Sequence, residues 1–332
     1  MKKILIVGGA GFIGHNLAID LKKNGNNVLI LDSLEVNNLG SIKNNVDNIP
    51  FPSLSKKIIH ERLDLFKKNN IELKIQDARD YREISKIVNT YKPDVLVHLA
   101  AVSHANRSNK NPHSTFDHSL RTLENTLDST RDSVGHFIFF SSSMVYGNFK
   151  KDEVTEALEC NPVGIYGTLK YAAEKIIIAY NQVFNTPYTI VRPSALYGER
   201  CVSRRVGQVF IENVLNKKDI IISGDGNDKL DFTYIDDLIS GVSKIINNKN
   251  SINQIFNITY GSSRKIIDLI EILKKFYPNI KINFEKKDKL TPKRGTLSVE
   301  KAKKLLNYQP SWSIDKGYVK YIKWYQNFYK NV

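Results

Sequence analysis

The stretch Ile4-Leu-Ile-Val-Gly-Gly-Ala-Gly-Phe-Ile-Gly14 decides the fold. Its first four residues are apolar and mostly β-branched, with no polar alternation, which predicts a parallel strand buried on both faces. Gly8, Gly11 and Gly14 follow at a G-x-x-G-x-x-G spacing, and Phe12, Ile13, Leu17 and Ala18 open a helix. Gly8 lets the chain turn off the strand, Gly11 lets the backbone approach a pyrophosphate, and Gly14 lets the helix sit close on the sheet with its first amides toward the phosphates. A second strand, Val28-Leu-Ile-Leu31, ends in Asp32, which is placed to accept both ribose hydroxyls of an adenosine and to repel a 2′-phosphate. No arginine follows Asp32, so NAD is expected over NADP. Gly8, Gly11, Phe12, Ile13, Gly14 and Asp32 are therefore the first candidate cofactor contacts. The competing reading is a glycine turn that binds nothing.

Outward from this unit, strands and helices alternate. After a polar, Asn-rich stretch from Ser33 to Pro52, a helix is expected over Ser55–Lys68 and a strand over Ile71–Ile75. The strand delivers Asp77 and Ala78 to the cofactor edge, where Asp77 reads as an adenine neighbour, as the N-cap of a helix over Tyr81–Asn89, or as both. A fourth buried strand begins after Pro93-Asp94 and runs through His98 into Leu99-Ala100-Ala101, small enough for close approach to a dinucleotide. His98 lies in an apolar run and reads as a core histidine. Ser103 and His104, just past the strand end, are candidate substrate contacts. A helix is expected over Pro112–Asp132, a fifth strand over Phe137–Phe140, a long helix over Gly164–Phe184 and a sixth strand over Tyr188–Val191. This alternation predicts an α/β, doubly wound parallel sheet. Beyond Pro193 the segments shorten, with turns at Gly198, Gly224-Asp-Gly226 and Gly261. The expected organisation is a dinucleotide-binding domain over 1–192 and a smaller substrate-binding lobe over 193–332.

The 332 residues are 41% hydrophobic and 25% charged, the balance of a soluble globular protein. No apolar run approaches the ~20 residues of a membrane span, and the first strand begins too early for a signal peptide. The two cysteines, Cys160 and Cys201, form no framework, so a cytoplasmic protein is expected. The net charge of +15 invites a nucleic-acid reading, but the lysines are scattered in pairs rather than massed with aromatics. Neither a nucleic-acid partner nor a membrane nor a metal is expected. A basic cleft for a phosphorylated small molecule remains compatible with the charge.

Tyr166 and Lys170 stand four apart and are neighbours on one helical face. A free tyrosine has a pKa of about 10, so acting as a base at neutral pH needs roughly 4 kcal/mol of help. A cation ~4 Å away at an effective dielectric of ~20 supplies about that much. Lys170 and a positive nicotinamide ring would together make Tyr166 a usable proton acceptor, with a serine at the end of the fifth strand orienting the substrate alcohol.

With these residues together, the chain resembles the extended short-chain dehydrogenases/reductases, within the nucleotide-sugar epimerase and dehydratase family. The likeness spans Gly8–Gly14, Asp32, His98-Leu-Ala-Ala101, Ser141-Ser-Ser-Met-Val-Tyr-Gly147, Asn161-Pro162, Tyr166, Lys170, Arg192-Pro193, Leu196-Tyr-Gly198, Gly224-Asp-Gly226 and Asp231-Phe-Thr-Tyr-Ile-Asp-Asp237. It implies a Rossmann-like domain holding NAD, with Ser142, Tyr166 and Lys170 as catalytic residues and Tyr166 and Lys170 also beside the cofactor. Dehydrating members of the family carry an acid–base pair where this chain has Ser143 and Met144, so simple oxidation and re-reduction is implied. The expected function is an isomerase of carbohydrate biosynthesis: NAD-dependent epimerisation, at C4, of a nucleoside-diphosphate hexose through a keto-sugar. The alternatives are a net oxidoreductase or dehydratase, a ring-isomerising relative, and a nonenzymatic NAD-binding regulator. The family's usual diphosphate arginine is Leu230 here, and a usual asparagine is Ala195. Arg205 and Arg294 are the candidate replacements, the alternative being solvated surface, and Ser143 is a further substrate candidate. Arg121 stands where the family is usually small. The resemblance also implies a homodimer through the helices at 112–132 and 164–184.

Overall fold

The computed structural model describes residues 1–44, 49–102 and 105–330. Among these residues, seven strands form one sheet: β1 (Lys3–Val7), β2 (Asn27–Asp32), β3 (Glu72–Ile75), β4 (Val95–His98), β5 (His136–Phe140), β6 (Tyr188–Arg192) and β7 (Gln254–Asn257). Their order is β7-β6-β5-β4-β1-β2-β3, and every pairing is parallel. The apolar runs become buried strands because helices cover both faces, leaving no wet side that alternation would have to serve. The core divides accordingly: Ile4, Ile6, Ile30 and Val97 face one helical layer, and Leu5, Val7, Leu29 and Leu96 the other.

From β1 the chain builds β2 and β3 to one side, then returns to place β4 on the other side of β1. That reversal opens a crevice between the carboxyl ends of β1 and β4, where open α/β sheets bind ligands. The strand ends are level, with Val7 paired to both Leu31 and His98, and His98 to Phe139. The turns that follow these strands therefore share one rim.

Two expectations change. The sheet draws β7 from beyond residue 192, so a single cut there does not separate sheet from lobe; β7 pairs directly with β6. The helix expected over Pro112–Asp132 is three pieces: an α-helix over Pro112–Phe116, a π-helical turn over Asp117–Arg121, and an α-helix over Thr122–Thr130. Such a turn inserts one residue into the helical path, and π-turns frequently occur at functional sites; here His118 and Thr122 both line the crevice. Arg121 turns outward and pairs with Glu124.

Among the described residues, the remaining chain supplies helices Val206–Leu215, Ile235–Asn247, Ile266–Lys274, Glu300–Leu306 and Ile314–Lys330, with three two-stranded pairings of its own and a fourth, Thr296–Leu297, to Glu153–Val154. Its centre is aromatic. Tyr318, Tyr321 and Tyr325 repeat at helical spacing and are fully buried, against Tyr197 and Tyr234. No described helix is long and apolar enough to cross a membrane.

Candidate active site

A cleft of about 430 Å³ runs along the rim between sheet and lobe. At its floor, Gly8 adopts φ +78°, and a Cβ there would lie 2.5 Å from the Ala100 amide nitrogen. The crossing of the first and fourth strand ends thus requires glycine. A Cβ on Gly14 would fall 2.5 Å from Gly9 Cα, so the helix Phe12–Lys23 can approach the loop only without one. On Gly11 it would meet only Gly8 O, at 3.5 Å, which leaves room for a ligand to approach the backbone. Phe12, Ile13 and Gly14 line the cleft in a first turn that has no acidic side chain and no side-chain cap. Unpaired amides and the positive end of the helix dipole suit a pyrophosphate there.

Asp32 accepts hydrogen bonds from the Ala10 and Leu34 amides at 2.9 and 2.7 Å and still lines the cleft. Burial raises its carboxyl above the ordinary range, against those two bonds and Arg62. The amides fix the carboxylate's orientation, and its remaining lone pairs suit ribose hydroxyls. Asp77, Ala78, Leu99, Ala100 and Ala101 also line the cleft. Asp77 is not a helix cap: Asp80 takes that role by accepting from the Glu83 amide. Arg79 instead bridges Asp77 and Asp117 with 2.6 Å contacts to each, bracing the third strand's end against the π-helical turn. Burial pushes the Asp77 carboxyl up, but the Arg79 hydrogen bonds outweigh it and leave it below its usual range. His98 lies in the core 3.0 Å from Thr126 Oγ1, and burial lowers it to about 3.

The fifth strand ends in Ser141-Ser142-Ser143. Ser142 Oγ accepts from the Met144 amide at 3.2 Å, which caps the short turn Ser143–Tyr146 and holds the hydroxyl at the cleft. Tyr166 lines the same stretch of the cleft, near enough for the Ser142 hydroxyl to favour its ionised form. Lys170 Nζ donates to the Phe140 carbonyl at 2.7 Å and lies 4.7 Å from the Phe139 ring centre. The electrostatics differ from the expectation for a tyrosine–lysine pair. Burial raises the Tyr166 phenol, and the opposing influences are Arg205 and the Ser142 hydroxyl. Burial lowers Lys170 to about 7, with Glu174 opposing.

Arg205 and Arg294 line the lobe side, and the Nε of each is buried with no partner among the described residues. Burial lowers Arg294 to about 10, and neighbouring Arg205 acts in the same direction. Two guanidiniums kept close with unsatisfied donors form a site for an anion. Leu230 lines the cleft beside them as an apolar surface.

Residues 4–259 match the NAD dependent epimerase/dehydratase family. The chain belongs to this family. Its cofactor is NAD, and the glycine loop, the uncapped helix start and Asp32 fit that group. Over 98% of both proteins the chain is 30% identical to a putative UDP-glucose 4-epimerase of Methanocaldococcus jannaschii. It is 28% identical to a UDP-glucuronate 4-epimerase of Thermodesulfobacterium geofontis, over 96% of this chain and 95% of that one. Among solved structures, the UDP-glucuronic acid 4-epimerase of Bacillus cereus, in complex with UDP-glucuronic acid and NAD, superposes with a TM-score of 0.87 at 27% identity, covering 98% of this chain and all of the other.

In this family member the sequence candidates Ser142, Ser143, Tyr166, Lys170, Arg205 and Arg294 come together around one cleft. Ser143 Oγ lies 3.3 Å from Ser194 Oγ, forming a hydroxyl pair on the cleft wall. Ser103 and His104 lie outside the described residues. Of the other nearby cations, Arg204 also lines the cleft although it is exposed, Arg200 turns to His15 and Glu61, and Lys293 is exposed and does not line the cleft. Cys201 is fully buried and does not line the cleft. Asn109 has no place in the sequence expectations. Its Oδ1 accepts from the Ile165 amide at 3.1 Å, capping the helix of Tyr166 from outside, since that helix has no side-chain cap of its own at Val163.

Proposed function

We propose that this family member is a nucleotide-sugar 4-epimerase that inverts C4 of a nucleoside-diphosphate hexose without net oxidation. One observation carries the reading: among the described residues lining the cleft, carboxylates come only from Asp32 and Asp77, both at the adenosine end. Beside Ser142 and Tyr166 stand Ser143 and Met144, which cannot take a proton from C5 at neutral pH, so dehydration lacks its base. Removing and returning a hydride at one ring carbon requires no further acid or base. NAD, when bound, supplies the hydride acceptor and donor.

Tyr166 accepts the proton of the sugar hydroxyl and returns it after inversion. Ser142, turned by its bond to the Met144 amide, donates to the oxygen that becomes the ketone. Lys170 adds positive charge near the phenol, and Arg205 acts on it from the lobe side. Arg294 and Arg205 hold the diphosphate, which anchors the nucleotide and leaves the freed keto-sugar to turn over between two hydride-accessible faces. The exposed Phe116, Val183 and Phe184 on helices Pro112–Phe116 and Gly164–Phe184 support a homodimer, checked by light scattering. Both cysteines are free, in keeping with a cytoplasmic enzyme.

The test is incubation with a panel of UDP-, GDP-, CDP- and dTDP-sugars, with products read by NMR and bound cofactor by absorbance. The expected result is a C4 epimer with tightly held NAD and no accumulation of NADH. Stoichiometric NADH release, or a product of altered ring size, overturns the reading.

A further inference from the structure

One turn beyond Lys170 on the same helical face stands Glu174, whose side chain is 1% exposed. Three donors hold its carboxylate: Arg192 Nε at 2.9 Å and Ser141 Oγ at 2.5 Å on Oε1, and Arg192 Nη2 at 2.6 Å on Oε2. Arg192 is 3% exposed, and its guanidinium carbon lies 4.7 Å from the centre of the Tyr146 ring. Each partner sits on an element that delivers part of the site. Ser141 immediately precedes Ser142. Arg192 ends the sixth strand and precedes Pro193, whose carbonyl accepts the Ser143 amide at 2.9 Å, and Ser194, which lines the cleft. The helix itself carries Tyr166 and Lys170.

A buried ion pair is poorly explained by stability alone, because an apolar pair of similar volume often serves as well. We propose that Glu174 is a positioning residue for the catalytic groups: clamped by Arg192 and Ser141, it fixes the Ser142 segment against the helix of Tyr166 and sets a carboxylate one turn from Lys170. Among the described residues, the surroundings of Lys170 offer no substitute. Its own helix presents Glu174; the fifth strand presents the Phe140 carbonyl and the Phe139 ring; the fourth presents His98, which is neutral at working pH. Glu174 is the charge that opposes the loss of the Lys170 proton on burial. The inference rests on the epimerase reading for its kinetic consequence, but the protonation of Lys170 is measurable without a substrate.

Two variants test it. Glu174→Gln removes the carboxylate and leaves the Arg192 charge buried; Glu174→Leu with Arg192→Met removes both charges and keeps the volume. The pH midpoint for acylation of Lys170 by acetic anhydride is followed by peptide mass spectrometry, alongside kcat, KM and the thermal midpoint. In both variants the acylation midpoint is expected to fall by about one pH unit. The value of kcat is expected to drop about tenfold or more, with KM changed by less than about threefold. The double variant is expected to regain the wild-type thermal midpoint while keeping both defects. A double variant with wild-type melting, acylation midpoint and kcat overturns the proposal and reduces the pair to a brace. If the wild type turns over no nucleotide sugar, the epimerase reading fails, and the acylation midpoint still decides the role of Glu174.

Discussion

Along the sheet edge, the groups at the cleft stand at or just past strand ends: Gly8 after β1, Asp32 closing β2, Asp77 after the half-exposed edge strand β3, Ala100 after β4, Ser142 after β5. The opposite wall is assembled from loops far apart in sequence. Arg205 stands at the N-cap of helix Val206–Leu215, which is held in place by the Tyr318 hydroxyl donating to the Gly207 carbonyl at 2.9 Å. Arg294 lies in a segment pinned to the loop after Tyr146. There Lys293 N donates to Asn148 Oδ1, Phe149 N to the Lys293 carbonyl, and strand Thr296–Leu297 pairs with Glu153–Val154. Backbone pairing fixes the first wall, so a side chain on it can change without moving its neighbours. Long-range contacts fix the second, so its charges depend on the packing of the whole lobe. The proposed function divides along the same line, with the chemistry on the sheet side, where helix Gly164–Phe184 carries Tyr166 and Lys170, and anion binding on the lobe side.

The largest expected effect tests the rigid wall. Tyr166→Phe should lower kcat by about 10³-fold or more, with bound NAD and the thermal midpoint unchanged. A stopped-assay rate and a melting curve check it; a concomitant loss of stability would show that the edge is less independent of its side chains than the strand pairing implies.

The next effect tests the adaptable wall and the residue that spans both. Arg294→Leu should raise KM by roughly 10- to 100-fold at nearly constant kcat, the loss of about 1.5–3 kcal/mol of charge-assisted bonding. Arg205→Leu should raise KM and also lower kcat, because Arg205 acts on the Tyr166 phenol as well. Steady-state kinetics separate the two. If Arg205→Leu changed KM alone, the walls would be functionally distinct; if it changed kcat alone, Arg205 would belong with the chemistry.

The smallest effect lies beneath the edge. His98 is held neutral by burial down to about pH 3, whereas an unfolded histidine titrates near 6.5. The unfolded chain therefore takes up a proton that the folded protein refuses, and stability is lost as pH falls below about 6.5. The slope is up to about 1.4 kcal/mol per pH unit from this one group. Thermal melts between pH 7 and 5 should show this decline, and His98→Leu should reduce its slope without abolishing it, because burial also lowers His15 and His136.

Legibility in the sequence followed the same division. The spacing of Gly8, Gly11 and Gly14, and the apolar runs ending in Asp32, Ala100 and Ser142, encode steric and periodic requirements that a few adjacent residues satisfy by themselves. The π-helical turn at Asp117–Arg121 did not show, because its residues are ordinary helix formers and the extra residue is set by packing around Arg79 and the cleft. Nor did β7, a short segment that reads as a strand only once β6 offers it an edge. The clamp on Glu174 was equally silent: its spacing from Lys170 is ordinary for a helix, and its partners lie 18 and 33 residues away.

By itself, then, the sequence determined the parallel sheet, the glycine loop and the helical face that Tyr166 and Lys170 share, since each depends on local stereochemistry and on apolar periodicity. Only the tertiary structure decided which arginines face the cleft, which cation acts on Tyr166, and what holds Lys170 and Ser142 in place. Those depend on the distance and burial of charges brought together from distant parts of the chain, and electrostatic influence is set by that geometry rather than by order along the backbone.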